Sequence, residues 1–264
     1  MREWTIVAAA LALAACGQAP TNAPAASSHP AQSLDAASAA AKAASDKFVA
    51  LASGSQTSGL PPRQTDPAAG PLLDAVFDTS AVPTTDPPFS KLTAVNDWLL
   101  AANKVGVTYV LAGTGQSTFA DSPTVDAQVG RNVGTFAPEI GRYLDAECVL
   151  LGTEAGIVSD DLAANPTAFN DPARADGLAK MRGGVLQATG GFIQTIAGAQ
   201  NGEDWKLARM KPLIAMAPNA ARLLAPDARA DLAAKATAAA TDTGDLQLKS
   251  DFTQFATKIS SPGS

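Results

Sequence analysis

The residues with the clearest capacity for chemistry are carboxylates gathered in one stretch of the chain, namely Glu139, Asp145, Glu147, Glu154, Asp160 and Asp161. Glu147 and Glu154 are seven positions apart, so they share a face if this stretch is helical. A glycosidase-type pair requires two carboxyl groups at a fixed distance, and a metal site requires several that converge. Spacing alone predicts neither arrangement. We therefore interpret these residues as salt-bridging, because Arg142 lies three positions from both Glu139 and Asp145.

The histidine and cysteine content excludes several classes of catalytic site. The single histidine, His29, lies in a polar segment before the first predicted helix. Cys148 lies in an apolar stretch, and we predict that it is a small buried residue without a catalytic role. A Ser–His–Asp triad, a Cys–His pair and a zinc site of the Cys/His type all need an ordered histidine. We expect no enzyme activity, no cofactor and no metal.

A glycine pair recurs with a helical period at 183–196, where GGVLQAT is followed by GGFIQTI. Residues seven apart on a helix drift by only about 20°. One stripe therefore contains Gly177, Gly184, Gly191 and Gly198. Each interior glycine costs about 1 kcal/mol relative to alanine. Some interaction must offset this loss.

Four interpretations of the glycine stripe remain open. The preceding predicted helix has its own small residues at Gly152 and Gly156. We favour a seam, in which glycine lets two helix backbones approach and gain dispersion contacts. The alternatives are a groove that admits an apolar ligand or a partner helix, a membrane span over 183–202, and breakage of the helix into turns. Gln187 and Gln194 make the membrane span costly.

The beginning of the chain has the pattern of a targeting signal. Residues 6–15 form an apolar run that is too short to span a bilayer but has the length of a signal-peptide core. The run ends in LAAC at 13–16, and here the sequence resembles a bacterial lipoprotein precursor, whose lipobox is an aliphatic residue, two small residues and a cysteine. The resemblance covers residues 1–17. It implies cleavage before Cys16 and diacylglycerol on its sulfur, and Gly17 favours the periplasmic face of a Gram-negative outer membrane.

Composition divides the chain into five segments. These are a signal peptide at 1–15, a flexible tether at 16–32, an alanine-rich helix at 33–52, a Pro/Gly-rich linker at 53–70 and a helical domain at 71–264. The helix at 33–52 has a thin apolar face, so it either docks weakly or stands off as a stalk. The formal net charge is −6, with basic residues scattered, which gives no electrostatic footprint for nucleic acid.

Apolar residues at helical spacing, with little alternation of period two, predict an all-α bundle. Pro138 and Pro172 suit the first turns of two long helices, at 137–163 and from 172 to about 200. A short loop joins the two helices, so we expect a long glycine-rich antiparallel hairpin around which the bundle is built. Residues 107–118 fit either a helix or a strand.

Two further features complete the helical prediction. Pro212 and Pro218 predict either two short helices or one kinked helix. Trp98 and Trp205 lie in amphipathic segments, and we predict that both are core residues.

These observations predict a lipid-anchored envelope protein whose helical domain binds or scaffolds other envelope components without catalysis. Its expected contacts are the membrane, through the lipid on Cys16, and a protein partner in the envelope. The alternative is a carrier that holds an apolar small molecule in a glycine-lined groove between helices. A hydrolase that uses two carboxylates is a third and weaker alternative.

Overall fold

The computed structural model describes residues 33–54, 60–116 and 122–261, and all regular structure in these ranges is helical. This confirms the predicted all-α fold. The α-helices are α1 (Leu34–Gly54), α2 (Gly70–Phe77), α3 (Leu92–Val110), α4 (Pro123–Thr135), α5 (Ala137–Ala164), α6 (Pro172–Gly198), α7 (Glu203–Leu223), α8 (Pro226–Asp242) and α9 (Leu246–Ser260). Short 3-10 turns at Phe89–Lys91 and Pro166–Asn170 precede α3 and α6.

Proline in the first turn begins several of these helices, because the missing N–H would have had no partner there. Pro138, Pro172 and Pro226 take this position in α5, α6 and α8. Asp171 caps α6, since its side chain accepts hydrogen bonds from the backbone N–H groups two and three residues later. The two long helices therefore begin and end within two residues of the predicted positions.

The structure decides two stretches that the sequence left open. The stretch at 107–118 begins as the last turn of α3, which ends at Val110, and Gly113 and Gly115 then make a turn with positive φ of 72° and 71°. Residues 117 and 118 lie outside the described ranges. α7 continues through Pro212 and Pro218 as one helix.

The alanine-rich helix α1 packs into the bundle rather than standing off as a stalk. Its narrow buried face lies against α2 and α3, and Phe48 is completely buried with its ring centroid 5.6 Å from that of Tyr109. Lys104 of α3 donates a hydrogen bond to Asp46 of α1 at 2.6 Å. The buried residues of α1 belong to the same hydrophobic core as the helices beyond residue 70.

The centre of the bundle is α5. It packs mainly against α7 and α3, whereas α6 packs mainly against α8 and α7, and α9 closes the bundle against α7 and α8. The contacts therefore centre on α5 with α3 and α7 rather than on the consecutive pair α5 and α6. From Glu139 to Ser159 every residue of α5 is buried or half-buried.

Candidate functional site

The predicted glycines of α5 lie at close contacts with other parts of the bundle. A Cβ added at Gly152 would lie 2.8 Å from the Cβ of Met216 and 3.2 Å from its Cα. Gly152 thus lets α5 and α7 approach each other directly. The seam interpretation fits this position, but the helix that it faces is α7 and not α6.

Gly156 makes room for a side chain from a loop. The carboxyl group of Asp86, which follows α2, lies directly over Gly156, where a Cβ would overlap it. That carboxyl also accepts hydrogen bonds from Asn219 Nδ2 and Arg222 Nη2, both at 3.0 Å. The loop before α3 is therefore fastened to α5 and α7 at this point, an arrangement that the sequence analysis did not anticipate.

The glycine stripe of α6 is largely buried. Gly177, Gly184 and Gly191 are buried, and Gly198 is half-buried. Beside the stripe, a Cβ added at Gly190 would meet α8 at 3.5 to 3.9 Å, which is ordinary contact. Among the described helices, none is long and apolar enough to cross a membrane.

Most of the carboxylates singled out in the sequence form ion pairs, but with partners from other helices. Asp145 pairs with Arg209 at 2.6 Å, and Asp160 pairs with Arg222 at 2.7 Å. The predicted pairs of Arg142 are wrong, because Arg142 Nη1 lies 2.7 Å from Asp74 of α2.

Glu139 is held in a different way, at the beginning of α5. It is 3% exposed and accepts a hydrogen bond from the backbone N–H of Gln64 at 2.9 Å. Arg63 lies 3.5 Å from its other carboxyl oxygen and also covers the Phe136 ring, 4.3 Å from the centroid. The segment before α2, predicted as part of a linker, is thus attached to α5.

Glu147 and Glu154 do not fit the salt-bridge interpretation. They are 2% and 0% exposed, and no ion pair reaches either of them within the described residues. Among the described residues, neither oxygen of Glu154 has a hydrogen-bond partner. Burial raises the pKa of Glu154 to about 8, and burial raises the pKa of Glu147 to about 7. These are the most unusual polar groups of the described core.

Cys148 and Trp98 are buried as predicted, and Trp205 is less buried than predicted. Cys148 is 2% exposed, as predicted, and burial followed by the nearby Glu147 raises the pKa of its thiol well above the ordinary value. Trp98 is 1% exposed, and its indole donates to the Val76 carbonyl at 2.8 Å. Trp205 is only half-buried and donates to a backbone carbonyl at the beginning of α5.

Two cavities lie away from the predicted glycines. One, of about 420 Å³, lies between α1, α2 and α3 and has Asp74, Asp78 and Trp98 among its lining residues. The other, of about 380 Å³, lies between the end of α1 and the turn after α3. No residue of α6 lines either cavity. Within the described ranges, no three His, Cys, Asp or Glu side chains converge as a metal site would require.

The remaining predicted residues, Cys16 and His29, lie outside the part of the chain that the structure describes. Comparison of the whole chain with protein-family models, with curated proteins and with solved structures found no match.

Proposed function

We propose that this chain is a lipid-anchored lipoprotein of the bacterial envelope, whose helical bundle binds or scaffolds other envelope components without catalysing a reaction. The observation that carries the proposal is the LAAC sequence at 13–16 behind a ten-residue apolar run. In this proposal, Cys16 becomes the first residue of the mature protein and carries the lipid. The location is the periplasmic face of the outer membrane.

The position of the first helix supports a tethered domain. α1 begins at Leu34, so residues 17–33 would separate the anchor from the bundle. A flexible segment of this length has an r.m.s. reach of about 20–25 Å and can extend to roughly 60 Å. The bundle could therefore contact partners close to the membrane surface while the lipid stays in it.

Two features of the bundle favour binding over catalysis. The thiol of Cys148 is buried and held protonated by its surroundings, so it is a poor nucleophile. The exposed large apolar residues of the described surface are Leu60, Leu100 and Leu246. With so few large apolar side chains exposed, the described surface suits reversible rather than permanent association.

The anchor is tested by metabolic labelling with a clickable fatty acid. The full chain should incorporate label, and Cys16→Ser should abolish it. Cys148→Ser is the matched control, because it removes a cysteine that is buried in α5 and should leave labelling intact. Label that survives in Cys16→Ser, or a mature N-terminus other than residue 16, would reject the lipoprotein assignment.

The binding role is tested separately in intact envelopes. Photo-crosslinkers placed at exposed positions of α8 and α9 should capture a defined envelope protein, whereas one placed at buried Phe252 should not. Native mass spectrometry of the same protein examines the carrier alternative. A small molecule that copurifies and leaves on denaturation would favour a carrier over a scaffold.

A further inference from the structure

Two carboxyl groups lie inside the bundle on one face of its central helix. Glu147 and Glu154 are separated by two turns of α5 and are almost completely removed from solvent. Charged carboxylates in such a position need a cation or several donors to replace water. Their surroundings therefore decide which protonation state the folded chain can hold.

The hydrogen bonding around Glu147 replaces little of the water that burial removes. The Tyr143 hydroxyl donates to Asn103 Oδ1 of α3 at 2.8 Å. Burial raises the pKa of Glu147, and a hydrogen bond from Tyr143 lowers it by less. Glu147 Oε2 has no hydrogen-bond partner among the described residues. A single phenol proton, which Asn103 also accepts, gives a negative carboxylate little in place of water.

The basic side chains of α7 form no ion pair with Glu147 or Glu154. Arg209 pairs with Asp145, and Arg222 pairs with Asp160 and Asp86. Lys206 and Lys211 lie on the same helix, and Lys206 is 4.0 Å from Glu203 in its own first turn. Lys211 is exposed. No cation from α7 compensates a negative charge at either position.

The other elements that pack against α5 also direct their charged groups elsewhere. α3 contributes Lys104 and Asp97, which pair with Asp46 and Lys42 of α1. The remaining neighbours are α2, α4, α6 and the two 3-10 turns, and the turn before α6 has no charged residue. The charged groups of the others are held in the contacts Asp74–Arg142, Arg131–Gln128, Arg174–Asp161 and Lys91–Asp35, and Asp126 of α4 also has an interaction partner. On α6, Asp176 and Lys180 pair with each other, and Arg182 donates to the Leu223 carbonyl.

We propose that the folded bundle holds Glu147 and Glu154 as neutral acids, so that loss of these protons under alkaline conditions loosens the packing of α5 against its neighbours. The inference does not depend on the lipoprotein assignment. It makes the central helix a proton-sensitive element within the fold. Glu154 has no hydrogen-bond partner in the described part of the chain, so it is the more sensitive of the two positions.

The direction of the pH effect follows from linkage. Burial raises the pKa of Glu154 from its ordinary value of 4.5 to about 8, and that of Glu147 to about 7. Between the ordinary and the raised pKa, the folded chain keeps a proton that the unfolded chain has lost. Stability therefore falls as pH rises through this window and levels off above it.

Carbon-13 NMR of the side-chain carboxyl groups tests the protonation states directly. The chain has five glutamates, Glu3, Glu139, Glu147, Glu154 and Glu203, so glutamate labelled at the carboxyl carbon gives a simple spectrum. The sample is the full chain with Cys16→Ser, which prevents lipidation. At pH 6 two resonances should remain at the position of a protonated acid. If every resonance were at the ionised position at pH 6, the proposal would be overturned.

Variants assign those resonances and connect them to stability. Glu147→Gln and Glu154→Gln should each remove one protonated resonance, and Glu203→Gln, on the exposed beginning of α7, should remove neither. In thermal unfolding between pH 5 and pH 9, Glu154→Gln should flatten the fall in Tm seen in the parent chain. Equal slopes in the Glu154→Gln and Glu203→Gln chains would argue that Glu154 has no such role, and the spectrum of the parent chain decides the question even if a variant fails to fold.

Discussion

The two longest helices, α5 and α6, have similar lengths and both contain several glycines, but they differ in how far their surroundings bury them. α5 is surrounded by α3, α7 and other elements, and none of its residues from 139 to 159 is exposed. α6 lies at the periphery, and its first half keeps Asp176, Lys180 and Gly183 in solvent. A peripheral helix can place its polar groups in water, whereas a central helix must pair them, neutralise them or exclude them.

The surroundings of the glycines also differ between the two helices. At Gly152 of α5 it permits direct contact with Met216, and a side chain there would collide with α7. At Gly183 of α6, nothing lies within 4 Å of an added Cβ. Equivalent substitutions in the two helices should therefore have effects of different size and even of opposite sign.

The largest expected difference concerns charge in the centre of α5. In urea unfolding, the parent chain should lose several kcal/mol of unfolding free energy between pH 5 and pH 8. Glu147 and Glu154 each hold a proton that the unfolded chain has lost, and each such proton contributes about 1.4 kcal/mol per pH unit. Glu154→Gln should remove most of this dependence. A variant that retains the full slope would mean that Glu154 is solvated in the folded state.

The next effect is overpacking between α5 and α7. Gly152→Val should destabilise the bundle by about 1–3 kcal/mol, because a Cβ at this position meets Met216 at 2.8 Å. The urea midpoint should fall while the slope of the transition stays constant. An unchanged midpoint would show that the two helices are farther apart than described.

The corresponding change on α6 should stabilise the protein. Gly183→Ala adds a methyl group in open space within a helix, and alanine favours helix over glycine by up to about 1 kcal/mol. The Tm should rise by a few degrees. A decrease in Tm would indicate an unseen contact at this face and would weaken the contrast with Gly152.

The smallest effect is expected for a surface charge on α6. Asp176→Asn breaks an exposed ion pair with Lys180 at 2.7 Å, in an arrangement worth about 0.3–0.5 kcal/mol. Its unfolding free energy should change little and should keep the pH slope of the parent chain. A change as large as that of Glu154→Gln would remove the distinction between central and peripheral helices.

The sequence predicts the helices better than it predicts their partners. Proline residues mark the first turns of α5 and α6 by a local steric rule, so their boundaries could be predicted. α4 was not predicted, although Val125, Val129 and Val133 recur every four residues and all three are buried. Attention to that short pattern would have found the helix.

The packing order could not be predicted in the same way. Helix faces composed of alanine and glycine are nearly interchangeable. The local sequence pattern therefore does not show that α5 packs against α7 instead of α6. The same limit applies to Glu147 and Glu154, which look in the sequence like their neighbours Asp145 and Asp160. Only the positions of Arg209 and Arg222 separate the paired acids from the unpaired ones.

Cys148 makes local opening of the central helix measurable. Cys148 is 2% exposed, and the described ranges contain no other cysteine. A thiol reagent in solution can reach the sulfur only during moments when α5 separates from its neighbours. In the chain with Cys16→Ser, the rate of labelling at Cys148 therefore reports how often α5 opens, under conditions in which the reagent reacts faster than the helix closes again.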